Sequence, residues 1–223
     1  MKVLVACEES QRVCAAFRER EREAYSCDIL EPSGGHPEWH IKGDCLPLLN
    51  GNCEFQTMDG VTHGIDGKWD LIIAHPPCTY TTNAGARHLY PKGKLNLSRL
   101  YKGLCGKALF ESILHADCDR IAVENPVPSK VFEFPEYTQI IQPYQFGHPV
   151  TKKTCLWLKG LDALIPTDVV EPVKGRIITM RNGITRYSCW AMDSGKPFGG
   201  EDRAKERSKT FEGIAKAMAE QWG

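Results

Sequence analysis

One short apolar segment of the chain is stopped abruptly by two prolines. Leu71 to Ala74 has the length and composition of a buried β-strand, and His75-Pro76-Pro77-Cys78-Thr79 follows it at once. Because proline lacks the N–H group that a strand needs for pairing, the strand must end there. Ligands of open α/β sheets bind outside the carboxyl ends of the strands. The segment therefore predicts a rigid turn that presents the Cys78 thiol at a ligand-binding edge, with a simple buried cysteine as the alternative.

The first thirty residues read as strand, helix, strand. Lys2 to Cys7 and Ala24 to Ile29 are the two strands, and the residues between them have helical spacing up to Arg20, with Ser10 as the expected N-cap. This alternation is typical of a Rossmann-like α/β sheet. The first turn lacks a Gly-x-Gly-x-x-Gly motif, so a dinucleotide is not the expected ligand.

The rest of the chain continues the same pattern and ends in an amphipathic helix. Residues 1–160 are predicted to form the core, 161–206 a small insert, and 207–223 a helix that packs back on the core. The 50–68 segment is predicted as a helix remnant plus a loop. Further elements are predicted as follows: a helix from Leu97 to Ala116, a strand from Arg120 to Val123, an edge hairpin from Thr138 to Gln142 and Thr154 to Leu158, and a second hairpin around Arg181-Asn182-Gly183.

Composition excludes several classes of protein. The longest apolar runs are too short to span a membrane and the N-terminus lacks the design of a signal peptide, so a cytoplasmic location is expected. Ten cysteines include no Cys-x-x-Cys pair, which favours reduced thiols. His36, His40, Cys45 and Cys53 match no common zinc spacing, so no metal is expected.

The 28 basic and 28 acidic residues balance, which excludes a generally basic nucleic-acid binder. Their distribution is uneven, however. The stretches 79–110 and 173–192 contain bases and no acid. Such stretches are compatible with a local surface for a polyanion, although basic solvated loops would read the same way.

Acidic residues stand at the ends of the first two predicted strands and at the turn that follows them. Asp28 ends the second strand and suits ribose hydroxyls, Asp44 could accept from an adenine amino group, and Glu8 or Glu9 could face the amino-acid part of a cofactor. Together these positions indicate an adenosyl cofactor. The candidate cofactor residues are Cys7, Glu8, Glu9, Ser10, Asp28, Ile29, Asp44, Cys45, His75 and Pro76.

Two strand ends carry the groups that chemistry at cytosine C5 requires. Cys78 follows one strand, and Glu124-Asn125-Pro126 follows the next. A thiolate that adds to C6 makes C5 nucleophilic toward a methyl sulfonium. A carboxyl group of the protein that is hydrogen-bonded to N3 and the exocyclic amine stabilises the charge that develops on the base. The alternative for Glu124 is an acid that caps a helix or forms an ion pair.

On these residues the sequence resembles small DNA cytosine-5 methyltransferases of the kind encoded by phages and prophages. Leu4 to Ser10 occupies the place of the first cofactor loop, Pro77-Cys78 matches the nucleophile motif, and Glu124-Asn125 matches the Glu-Asn motif. The segment Ser208 to Ala219 resembles the closing helix motif. The resemblance implies a class I S-adenosylmethionine-dependent fold with a mostly parallel sheet, transfer of a methyl group to C5, and an Asn125 that fixes its loop.

The sequence departs from this family in three places. The first loop lacks Phe-x-Gly-x-Gly, and Thr79 stands where most members carry Gln. The Gln-x-Arg motif is absent, and Lys152 or Lys153 could replace its arginine, with Lys153 counted among the catalytic residues.

Double-stranded DNA with a flipped base is the substrate that the resemblance implies. The insert is short, so loose sequence context is expected. Neither a membrane nor an obligatory protein partner is expected. The candidate DNA contacts are Thr79, Arg87, Lys92, Lys94, Arg99, Lys152 and Arg181.

Other functions remain open on the sequence. An amino-methyltransferase would use Asp/Asn-Pro-Pro-aromatic where this chain has His75-Pro-Pro-Cys78. A binding or counter-defence protein of the same fold would have lost the activity, and the altered first loop favours it. RNA or free nucleotides are further possible substrates.

Overall fold

The computed structural model describes residues 1–86, 88–175, 177–179, 183–187 and 207–223. Arg87 and Arg181, two of the candidate DNA contacts, lie outside the described residues. The elements are β1 (Lys2–Ala6), α1 (Arg12–Arg18), β2 (Glu23–Asp28), β3 (His40–Lys42), β4 (Cys53–Gln56), β5 (Thr62–Ile65), β6 (Leu71–Ala74), α2 (Asn83–Ala86), α3 (Leu97–Leu114), β7 (Ile121–Pro126), β8 (Gln139–Ile141), β9 (Thr154–Lys159), β10 (Ile177–Thr179), β11 (Thr185–Tyr187) and α4 (Glu212–Trp222).

Seven strands form the main sheet in the order β3-β2-β1-β6-β7-β9-β8. The first five strands are parallel to one another. At one edge, β9 runs antiparallel to both of its neighbours, β7 and β8. This order confirms the predicted Rossmann-like α/β fold, a mostly parallel sheet with an edge hairpin. None of the helices in the described ranges is long and apolar enough to cross a membrane.

Alternating side chains of the central strands build a core on each face of the sheet. Val3 and Val5 face the layer of α1 and α4, and Leu4 and Ala6 face the layer that contains α3. All four side chains are fully buried. Apolar residues on both faces are what a central parallel strand requires, because helices or loops cover it from both sides.

The segment between β2 and β6 differs from its prediction as a loop and a helix remnant. It contains β3, which extends the sheet, and the antiparallel hairpin β4-β5. The hairpin brings Phe55 within ring contact of Tyr25 and Trp69, and the Trp69 indole donates to the Leu48 carbonyl at 2.6 Å. Tertiary packing of a few aromatic rings therefore decides the structure of a segment whose local composition is polar.

The start of α1 also differs from its prediction. Gln11, not Ser10, is the residue before the helix, and its backbone is left-handed (φ 57°). The cap comes from Glu8, whose carboxylate accepts from Val13 N at 2.7 Å and Cys14 N at 3.1 Å. A carboxylate stabilises this helix start more than a serine hydroxyl would, because it accepts from two free N–H groups at once. Its negative charge also interacts favourably with the helix dipole.

The remaining elements agree with their predictions, with shifted ends. The strand predicted to stop at Val123 continues to Pro126, because β9 pairs with Glu124, Asn125 and Pro126. The edge hairpin is confirmed as β8 and β9, and the second hairpin as β10 and β11. The closing helix is confirmed as α4, which lies against α1 and buries Ile214, Met218 and Trp222.

Gly213 allows α4 to approach the segment after β8. A Cβ atom at this position would lie 1.8 Å from the Phe146 carbonyl oxygen. We expect Gly213→Ala to lower stability by about 1–3 kcal/mol, because backbone must move to make room. Thermal unfolding should show a decrease in Tm of several degrees. Gly64→Ala is the control, since a Cβ there meets nothing within 4 Å; equal Tm values for the two variants would contradict the close approach.

Candidate active site

The carboxyl ends of five parallel strands meet at one edge of the sheet. The chain passes from β1 to β2 and β3 on one side, and β6 and β7 lie on the other. A crevice forms outside such a switch point. The structure thus brings the acidic cofactor candidates Asp28 and Asp44 to one side and Cys78, Glu124 and Asn125 to the other.

The turn that carries Cys78 is fastened to the end of β7. The Asn125 amide, which is 3% exposed, donates to the Pro76 carbonyl at 3.3 Å. Ser129 N donates to the Thr81 carbonyl at 2.8 Å. Within the turn, Thr81 N and Thr82 N donate to the Cys78 carbonyl at 3.2 and 3.3 Å. Asn125 therefore fastens the turn that carries Cys78 to the end of β7.

Cys78 is half-buried at this edge. Burial and the charge of Glu124 raise the pKa of its thiol, and the cations Lys152 and Arg207 offset part of that rise. The group is therefore a neutral thiol in the free protein at neutral pH. A reaction that needs the thiolate must remove this proton when substrate arrives.

Glu124 lies beside His75 in the sheet, because Ala74 pairs with Val123 one residue earlier. Nδ1 of His75 is 3.1 Å from Oε2 of Glu124, and the two side chains are only 7% and 13% exposed. Burial acts to raise the pKa of Glu124, but the hydrogen bond from His75 and the charges of Lys152 and His75 outweigh it and lower the pKa. Nδ1 is accordingly the donor and Glu124 the carboxylate.

Lys152, rather than Lys153, acts on the two catalytic candidates. Its charge lowers the pKa values of both Cys78 and Glu124, whereas the charge of Lys153 acts on Cys155. The Lys152 ammonium donates to the Arg207 carbonyl at 3.1 Å and lies 5.7 Å from the Phe211 ring centroid. Sequence spacing could not separate these neighbours, because both precede β9, and only the folded structure makes Lys152 half-buried and Lys153 exposed.

On the cofactor side, the carboxylates of Asp28 and Asp44 each accept from backbone N–H groups of their own loop. One oxygen of Asp28 accepts from Leu30 N at 2.9 Å, and one oxygen of Asp44 accepts from Leu46 N at 3.0 Å. Ile29, next to Asp28, exposes 73% of its surface. Two carboxylates beside an exposed apolar side chain fit ribose hydroxyls and the face of an adenine ring.

Other cofactor candidates are occupied by contacts within the protein. The Glu8 carboxylate caps α1, and burial raises its pKa against the hydrogen bonds that lower it. The Cys7 thiol lies 4.0 Å from that of Cys45. His75 is directed to Glu124, Pro76 is buried beneath the Asn125 amide, and Glu9 and Ser10 are buried.

The histidines of the 36–53 segment have local partners. His36 stacks on Trp39, and the fully buried His40 contacts Ser26 and the Leu30 carbonyl. Among the residues that the structure describes, no group of three His, Cys, Asp or Glu side chains could hold a metal ion.

Basic side chains gather beside the Cys78 turn. The Arg99 guanidinium lies 4.9 Å from the Tyr80 ring centroid, and the Lys102 ammonium lies 5.5 Å from it. Arg99 also donates to the Gly85 carbonyl at 3.1 Å. Thr79, Lys92 and Lys94 are exposed nearby in the chain. Sequence reasoning missed Tyr80, although an aromatic residue two positions after the thiol, within a basic stretch, was a usable signal.

No protein-family model matches the chain, and none of the curated proteins matches it. Among solved structures, it is similar to a provisionally named DNA modification methyltransferase encoded within a prophage (E. coli), with 15% identity and a TM-score of 0.42. The match covers 78% of this chain and 52% of that one, so the chain spans about half the length of that structure. Substrate and chemistry are therefore inferred from the site residues.

Glu124 should make the stability of the protein depend on pH. Its pKa is lower in the folded state, so it stabilises the fold above the ordinary glutamate range and loses that contribution as pH falls through the folded value. We expect Glu124→Gln to reduce the loss of unfolding free energy between pH 6 and pH 3.5, measured by urea titration. Glu54→Gln, an exposed change on β4, is the control. A pH dependence of Glu124→Gln equal to that of wild type would contradict the assignment.

Proposed function

We propose that the protein is a DNA methyltransferase that transfers a methyl group to C5 of cytosine. The observation that carries the proposal is the junction of β6 and β7. There a hydrogen bond ties the Cys78 turn to Asn125 of β7. Glu124 follows Val123, the last residue of β7 that pairs with β6, so its carboxyl lies at the same edge of the sheet. A thiol and a carboxyl on adjacent strand ends can reach C6 and N3 of one pyrimidine ring.

Cys78 is the nucleophile in this mechanism. The Cys78 thiol gives its proton to the Glu124 carboxylate, and the resulting thiolate forms the S–C6 bond. As that bond forms, the π electrons of C5–C6 shift toward N3, and N3 takes up the proton from Glu124. S-adenosylmethionine, when bound, would supply the methyl group that C5 of the resulting enamine takes up, with the neutral thioether as the leaving group. Loss of the C5 proton to a solvent base then expels Cys78, and N3 returns its proton to Glu124. Lys152 supports the first step because its charge favours both the thiolate and the carboxylate.

S-adenosylmethionine, when bound, would supply an electrophilic methyl group on a sulfonium. Asp28, Ile29 and Asp44 are the residues that fit its adenosine part, through two carboxylates and an exposed apolar face. The Glu8 carboxylate already occupies the start of α1. The amino-acid part of the cofactor is therefore not bound through those helix N–H groups.

DNA is the proposed substrate because the basic side chains adjoin the nucleophile. Arg99 and Lys102 flank Tyr80, and Lys92 and Lys94 extend the charge along the same stretch. Phosphate contacts from such residues position a duplex, and an aromatic ring can stack on an exposed base. The target cytosine must leave the helix to reach Cys78. The 161–206 segment is proposed as a reduced target-recognition element, with loose sequence context as its consequence.

A second candidate is a binding protein of the same fold without activity. The specific observation in its favour is the first loop, where Cys7 and Gln11 take left-handed backbone conformations and Glu8 fills the helix start. An amino-methyltransferase, which methylates an exocyclic nitrogen, is a third candidate. It has less support, because methylation of an exocyclic nitrogen does not need a thiol and a carboxyl on neighbouring strand ends.

The proposal predicts methyl transfer from labelled S-adenosylmethionine to cytosine-containing duplex DNA, with the label in 5-methylcytosine after digestion. Cys78→Ala should abolish the label, because it removes the thiol that adds to C6. Cys53→Ala is the matched control, since Cys53 is also half-buried but lies in the β4-β5 hairpin. Its activity should equal that of wild type.

The same assay separates the alternatives. Label in an N-methylated base would support the amino-methyltransferase. Transfer to RNA or to free nucleotides, and not to DNA, would change the substrate. Binding of the cofactor without transfer to any of these substrates would support the inactive binding protein.

A further inference from the structure

His75 has a fixed position in the proposed active site. It follows β6 directly, and its backbone N–H donates to the Ala6 carbonyl at 3.0 Å, which continues the ladder with β1. Its side chain is 7% exposed and lies against Glu124, with Nδ1 3.1 Å from Oε2. Backbone and side chain are therefore both held, and the imidazole is aimed at one oxygen of the carboxyl.

The other ring nitrogen of His75 is unusual. Nε2 is buried and has no hydrogen-bond partner among the described residues. A buried polar atom without a partner costs free energy, of the order of 1–3 kcal/mol. A leucine or valine at this position would avoid the cost while filling the core. Packing alone therefore does not account for a histidine at this position.

The two oxygens of Glu124 have different surroundings. Oε2 takes the hydrogen bond from His75, and Oε1 has no hydrogen-bond partner among the described residues. A carboxyl that grips a cytosine edge needs one oxygen directed at N3 and the exocyclic amine. The arrangement supplies one anchored oxygen and one available oxygen.

Several charged or titratable groups surround this pair. Lys152 and His75 act on Glu124, and Glu124 in turn acts on Cys78 and Cys155. On the opposite side, the charge of His75 acts on Glu8 of the β1 loop. His75 is thus the link between the buried acid that caps α1 and the acid of the active site.

We propose that His75 is a positioning residue for the reaction described above: it holds Oε2 of Glu124 through Nδ1, leaves Oε1 for the pyrimidine, and sets the pH range in which Glu124 exchanges its proton with N3. This inference rests on the proposed function. It assigns to His75 a role toward Glu124, where sequence reasoning had placed it among cofactor contacts.

The test compares two substitutions of His75. His75→Ala removes the hydrogen bond and the charge, and both of these lower the pKa of Glu124. The pKa of Glu124 should therefore rise. His75→Asn keeps an amide donor near the position of Nδ1 but cannot titrate, so the rise should be smaller. Carbon-detected NMR titration of the Glu124 carboxyl in the unliganded protein measures both, with Glu124→Gln for assignment.

Enzyme kinetics give the second readout. In single turnovers on duplex DNA, the limb of the pH–rate profile that reports Glu124 should move upward in His75→Ala and less in His75→Asn. The rate loss should stay below the roughly 10²–10⁴-fold effect of removing a proton-transfer group itself. His63→Asn is the control, because His63 contacts Tyr25 and Thr57 in the β4-β5 hairpin. In His63→Asn, neither the titration of Glu124 nor the pH–rate profile should change.

The outcomes separate the two claims. An unchanged Glu124 titration in both His75 variants, in a protein that methylates DNA, would overturn the role of His75 and leave the function standing. A uniform loss of rate with an unchanged profile would also overturn it, because a merely structural role has that signature. A shifted titration in a protein that transfers no methyl group would support the coupling of His75 to Glu124 and contradict the proposed function.

Discussion

The candidate site depends on the way the ends of β6 and β7 are joined. Two prolines stop β6, and the hydrogen bond from Asn125 to the Pro76 carbonyl ties the resulting turn to the neighbouring strand. One residue away, His75 and Glu124 form a buried pair across the same two strands. Because β7 is itself clamped between β6 and β9, the Glu124 carboxyl has a rigid base. A thiol and a carboxyl are thereby held at one edge of the sheet.

Sequence reasoning was most successful where local rules and the fold agree. The strand Leu71–Ala74 was predicted to the residue, because four apolar residues bounded by charge and by proline allow little else. The juxtaposition of Cys78 with Glu124 followed from the parallel sheet, since consecutive strand ends of this kind share one edge. The partner of Glu124 did not follow, because His75 is adjacent to it only through the register of β6 on β7.

The errors arose where distant contacts override local preference. The β4-β5 hairpin is stabilised by the rings of Tyr25 and Trp69, which lie outside the hairpin itself. Ser10 is a good N-cap by residue type, but the Glu8 carboxylate reaches two helix N–H groups from further back in the chain. The sequence leaves Lys152 and Lys153 open for the place of the arginine, and the charge of Lys152 acts on Glu124.

The first loop shows how the chain accommodates a departure from the family that it resembles. Cys7 and Gln11 have φ values of 58° and 57°, a region that favours glycine and costs other residues of the order of 1–3 kcal/mol each. Gln11 offsets this cost through hydrogen bonds to Ser26 and to the backbone of His36. The loop is therefore rebuilt around side-chain contacts, and this leaves the Asp28 and Asp44 side of the edge accessible.

The covalent bond between Cys78 and cytosine is the central claim, and trapping it is the most direct test. A duplex library with 5-fluorocytosine in place of cytosine, incubated with S-adenosylmethionine, should give a stable protein–DNA adduct, because fluorine cannot leave C5 as the proton does. Mass spectrometry of the digested adduct should locate the pyrimidine on Cys78, and Cys78→Ala should give none. An adduct on another cysteine, or methylated DNA without any adduct, would contradict the account.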